Sequence, residues 1–173
     1  MTDLATLANV AEIVGSLTIV GGAVFGVAQL REIRVQRRQA VTVELLRSFS
    51  DPELASAVNL IRELPDGASA ELLRSRGREY ERAAVMISTT YETIAFLVFR
   101  RMASFSLVRE LTGGLALLMW RRLAGWTDAV RREQAQPSWA EWFQWLAQQL
   151  ARESEQKEAH PAYDRFADWR PGA

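Results

Sequence analysis

The chain has no cysteine, a single histidine, His160, and a single lysine, Lys157. Without cysteine, disulfides, thiolate catalysis and thiolate-built zinc or iron–sulfur sites are excluded. With one histidine, set before a proline in the C-terminal tail, catalytic triads, paired-histidine zinc sites and Glu-x-x-His di-iron bundles each lack a part. Excess charge is missing too: Lys and Arg total 21, Asp and Glu total 21, and the formal net charge is zero. No global positive field gathers nucleic acid, which is therefore not an expected partner. The glycine pairs Gly21-Gly22 and Gly113-Gly114 neither follow a strand nor precede Lys-Ser/Thr, so no phosphate-cradling loop is recognised. No cofactor, no metal, no small-molecule substrate and no enzymatic activity are expected.

What the sequence does contain is a long uncharged run. Ile13 to Leu30, IVGSLTIVGGAVFGVAQL, carries no ionisable side chain. As a helix it covers ~27 Å, close to the ~30 Å hydrocarbon thickness of a bilayer, and Leu7 to Glu12 can extend it. Backbone polar groups in lipid must be satisfied within the segment, so the expected element is a transmembrane helix despite Gly15, Gly21, Gly22 and Gly26. The preceding residues carry Asp3 and no basic residue, unlike a cleaved signal peptide. On the other flank stand Arg31, Arg34, Arg37 and Arg38. Positive residues remain on the cytoplasmic side, which places the N-terminus outside the inner (plasma) membrane and the rest of the chain in the cytoplasm. Arg31, Arg34 and Arg38 fall on one helical stripe that can meet anionic lipid headgroups. Ala11, Gly15, Gly22 and Gly26 lie at steps of four, seven and four along one face. Helices in lipid associate by close packing, and this groove of small residues predicts a homo-oligomer.

Downstream, the periodicity is helical throughout. The expected order is residues 1–30 as external N-terminus and span, 31–49 as a basic stalk helix, 50–158 as a cytoplasmic bundle of about four main helices, and 159–173 as a tail. Pro52 follows capping residues and opens a helix to Leu64, which Pro65-Asp66-Gly67 ends. Ser69 caps Ala70 to Arg76, and Gly77 terminates it. Arg78 to Met102 places Tyr80, Ala83, Ala84, Ile87, Tyr91, Ile94, Ala95 and Val98 on one side, with Val85, Phe96 and Phe99 on others. Such a helix belongs at the centre of a bundle. Leu107 to Gln134 follows, with Gly113-Gly114 marking a close helix approach. Ser138 to Glu141 reads as a capping box opening a last helix to Arg152 or beyond.

Glu92 is the only ionisable residue in AAVMISTTYETIAFLVF, Ala83 to Phe99. A carboxylate there needs a partner, and Arg109, Arg121 and Arg122 on the following helix are the candidates for a buried ion pair. Trp139, Trp142, Phe143, Leu146 and Leu150 share a face, which predicts packing between the last two helices. Trp126 and Trp145, if exposed, form a surface for headgroups or a partner helix.

Several stretches together resemble a known family: LANVAEIVGSLTIVGG, QLREIRVQRR, LLRSFSDPELASAV, STTYETIAFLVFRR, MWRRL and PSWAEWFQWLAQQL. They are similar to an uncharacterised family of short bacterial proteins, catalogued as a domain of unknown function, from about Leu4 to Leu150. The resemblance implies bacterial origin, an N-terminal spanning helix and a helical cytoplasmic part, and it carries no functional residues. The reading of the whole is an all-α, membrane-tethered, non-enzymatic interaction or scaffold module that self-associates. Its partners are membrane lipids, further copies of itself and possible membrane proteins. The alternative is an accessory or regulatory subunit of a membrane transporter, channel or defence system.

Overall fold

A computed structural model describes residues 51–156 and 162–170, together with Gly22, Phe25, Gly26 and Gln29. The chain divides into two compact units, Met1–Glu44 and Leu45–Ala173. In the first unit the four described residues are helical, and a Cβ added at Gly22 or Gly26 meets no atom within 4 Å. Ala11, Gly15 and the arginines Arg31, Arg34, Arg37 and Arg38 lie outside the described residues.

The described part of the second unit is all-helical: α1 (Pro52–Arg62), α2 (Ala70–Ser75), α3 (Arg78–Phe99), α4 (Phe105–Glu133), α5 (Glu141–Gln156) and α6 (Ala162–Arg165). Asp51 accepts the Glu53 N–H at 2.8 Å and Ser69 accepts the Leu72 N–H at 3.2 Å, satisfying amides that a helix start leaves without partners. Ser104 does the same for Leu107 at 3.4 Å and starts α4 two residues before the expected Leu107.

α3 is the central helix, packed chiefly on α1 and α5 and also against α2 and α4. Its Ala83, Ala84, Ile87, Tyr91, Ile94 and Ala95 are buried, as the 3.6-residue spacing requires. They meet Leu54, Val58 and Ile61 of α1 and Phe143, Leu146 and Leu150 of α5 in one core. Burying a side chain of this size contributes about 1.5–3 kcal/mol. Among the described residues α3 is the one helix long and apolar enough to cross a membrane, and its packing here is that of a bundle core.

α3 stops at Phe99, short of the expected Met102, because Arg101 turns into the left-handed region at φ 57°. The Met102 N–H then reaches the Leu97 carbonyl at 2.9 Å and the Arg101 N–H reaches Val98 at 2.9 Å, a Schellman closure. α4 closes identically: Ala135 sits at φ 50°, Gln136 bonds to Arg131 at 3.0 Å and Ala135 to Arg132 at 3.4 Å.

Two glycines of α4 admit close neighbours. At Gly113 a Cβ would sit 3.2 Å from the Leu150 side chain of α5, the expected helix approach, whereas Gly114 faces open space. Gly125 is tighter. A Cβ there would lie 2.6 Å from the Ala68 carbonyl oxygen, and the neighbouring Gly67 N–H donates to the Arg121 carbonyl at 2.8 Å. The α1–α2 loop is thus clamped main chain to main chain on α4.

Candidate functional site

The expected capping box at Ser138 does not form. Residues 137–140 make a turn in which the Ser138 carbonyl accepts the Glu141 N–H at 3.2 Å, and Ala140 enters the helix at φ 53°. Ala140 offers the first helical carbonyl, to Gln144 at 3.1 Å, but has no side-chain oxygen for the free amides of the first turn. Glu92 supplies it from α3: its Oε2 accepts the Phe143 N–H at 2.8 Å.

This corrects the expected ion pair. Arg109 pairs with Glu153 at 2.6 Å and with Glu110 at 3.2 Å, while Arg121 and Arg122 lie 3.7 and 3.3 Å from Asp66. The partner of Glu92 is a helix N-terminus, whose amides and dipole stabilise a carboxylate as a cation would. Burial pushes its carboxyl above the usual range, and the Phe143 and Trp142 amides oppose that shift. Arg131, the nearby cation, fixes the same joint by donating to the Trp139 carbonyl and to Gln144 Oε1, each at 2.8 Å.

The tryptophans divide differently from the expectation. Trp126 is only 2% exposed, in edge contact with Trp139 at 6.5 Å, so it is a core residue and not part of a surface. The helix pitch of α4 turns it toward the α4–α5 turn. Trp145 is half-buried. With Trp142 it packs on α3, where the Phe99 ring lies 4.4 Å from Trp142 and 5.9 Å from Trp145, and Phe96 lies 5.8 Å from Trp142.

The result is an exposed aromatic face that the tryptophans alone did not reveal. Phe96 and Phe99, packed on Trp142 and Trp145, are 43 and 50% exposed, and Met102, three residues beyond Phe99, is 48% exposed. Arg100 and Arg101 border it, both exposed and without an ion pair to any described residue; the Arg100 guanidinium stands 5.9 Å over the Phe96 ring. The signal was present in the sequence: Phe96 and Phe99 are off the buried stripe of α3. Beneath this face Tyr91 stacks on Phe143 at 4.8 Å and its hydroxyl is 2.7 Å from Thr112 Oγ1.

A separate cleft of about 670 Å³ opens beside α3, bounded by α2, the C-terminal half of α4 and the α4–α5 turn. Met86, Trp126, Val130 and Trp139 line it along with Arg74, Arg78, Arg82, Thr89 and the carboxylate of Glu81. Among the described residues no three His, Cys, Asp or Glu side chains come together as metal ligands.

These features define an all-helical bundle with a centrally buried α3 and an aromatic face across α3 and α5. The chain matches the family described as Domain of unknown function (DUF4760) over residues 16–150, most of its length, and belongs to that family. No curated protein and no solved structure matches it.

Proposed function

We propose that this protein is a membrane-tethered, non-enzymatic interaction module that associates with copies of itself, its N-terminus outside and its helical unit in the cytoplasm. The observation that carries the reading is the exposed aromatic face of Phe96 and Phe99 over Trp142 and Trp145. An exposed aromatic cluster rimmed by polar residues, here Arg100 and Arg101, is the kind of surface that serves as an interaction site. The uncharged run Ile13 to Leu30 supports the tether. Gly22 and Gly26, with open space where a side chain would sit, support close approach of a second span. Chains joined at their spans face each other at high effective concentration, so a face of modest size suffices.

Two measurements test this. A phosphatase fused after Ala173 stays inactive and a fluorescent protein fused there is bright in a bacterial host; an active phosphatase reverses the orientation. Crosslinking in membranes gives a ladder at multiples of the 19.5 kDa chain, and Gly22→Ile with Gly26→Ile abolishes it. A chain that crosslinks only to a different protein supports instead an accessory subunit of a transporter, channel or defence system.

A further inference from the structure

We infer that the cleft beside α3 is a binding site for a small amphiphilic anion, one carboxylate or phosphate head on a single apolar body. Its volume of about 670 Å³ lies within the range of small-molecule pockets, roughly 300–1,000 Å³. The floor suits an apolar body. Trp126 and Val130 of α4 are buried beneath it, and Met86 of α3 offers an unbranched thioether that adapts to irregular shapes. The rim suits an anion, with three arginines against one lining carboxylate, Glu81. Arg74 is already engaged, bonded to both carboxylate oxygens of Glu133 at 2.8 and 2.6 Å and to Glu81 at 3.0 Å. Arg78 and Arg82 are exposed and make no ion pair or hydrogen bond with any described residue. They are one helical turn apart on α3, so both guanidiniums reach one head group, a geometry that Arg favours for carboxylate and phosphate.

Trp126 and Trp139 extend the apolar floor, and their indole N–H groups are buried out of solvent reach, so the floor presents ring carbon to the ligand.

The full-length chain in zwitterionic nanodiscs, or in buffer if it does not insert, is titrated calorimetrically with octyl phosphate, empty discs serving as the blank. The cleft belongs to the helical unit, so the result does not depend on the tether or on self-association. Saturable binding of one octyl phosphate per chain is expected, with inorganic phosphate and 1-octanol each weaker by about tenfold or more. Arg78→Gln with Arg82→Gln lowers the affinity by about tenfold or more, and Thr89→Trp, which fills the cleft from its exposed rim, abolishes binding. Both variants keep the wild-type circular dichroism spectrum, and Arg78→Lys with Arg82→Lys retains part of the affinity. Uptake no different from empty discs, equal binding of phosphate or octanol, or unchanged affinity in the Gln pair overturns the site.

Discussion

Glu92 on α3 closes the N-terminus of α5 by accepting the main-chain N–H of Phe143 at 2.8 Å. Two helices distant in sequence are joined by a bond that one of them would ordinarily make with its own capping side chain.

The first prediction separates the two roles of that carboxylate, acceptor and charge. Glu92→Ala removes the acceptor and lowers stability by about 1 kcal/mol, the cost of a lost cap. Glu92→Gln keeps an acceptor and removes the charge. Burial raises the carboxyl above its ordinary value of 4.5 in the folded chain. The folded state therefore binds the proton more tightly than the unfolded state, and the native chain loses stability as pH rises from 4.5 through the raised value. Urea midpoints measured from pH 4 to 8 accordingly move in favour of Glu92→Gln as pH rises. A difference independent of pH defeats the prediction.

Glycines of α4 with different surroundings respond oppositely to the same change. Gly125→Ala drives a methyl into the Ala68 carbonyl oxygen and destabilises by about 1–3 kcal/mol, since main chain cannot swing aside. Gly114→Ala faces open space and stabilises by up to about 1 kcal/mol through helix propensity alone. Thermal denaturation of both variants ranks them on either side of the native chain.

Tyr91→Phe keeps the stack on Phe143 but removes the hydroxyl facing Thr112, and lowers stability by about 1 kcal/mol. Adding Thr112→Val recovers part of the loss, because no buried hydroxyl is then left facing an apolar ring. Burial pushes the Tyr91 phenol up to about 12. Its absorbance change on alkaline titration therefore appears well above the usual tyrosine range.

The aromatic face is tested by Phe99→Asp and Phe96→Asp. Both side chains are about half exposed, so each variant stays folded at a cost of about 1 kcal/mol from the lost ring contact with Trp142. If the face joins copies, crosslinked dimer falls severalfold in each. A ladder unaffected by both charges assigns association to the spans alone.

Much of the fold was legible because helical periodicity and punctuation coincide. Pro52 after Asp51, Ser69 before Ala70 and Gly77 before Arg78 mark observed boundaries, and the Tyr80 to Val98 stripe marks the core. The errors arose where tertiary structure replaced a local rule. Ser138 satisfies the pattern of a capping box, yet the cap comes from Glu92, and no pattern in Pro137-Ser138-Trp139-Ala140 contains that carboxylate. Charge alone points from Glu92 to an arginine, because a free helix end is invisible until the helix is placed. Trp126 depended on the pitch of α4 against the α4–α5 turn, which spacing within one helix does not specify. A lone glycine inside a helical pattern was the available sign of the Gly125 clamp, and it is easily overlooked beside the Gly113-Gly114 pair.

The helix ends at Arg101 and Ala135 have a consequence for heat tolerance. Each occupies the left-handed position of a Schellman closure, where glycine relieves a crowding of Cβ against carbonyl worth roughly 1–2 kcal/mol. The native chain thus has unused thermal headroom at two single-letter positions, one adjoining the aromatic face and the other the turn that holds Trp139. Arg101→Gly and Ala135→Gly relax those joints without altering the packed interior.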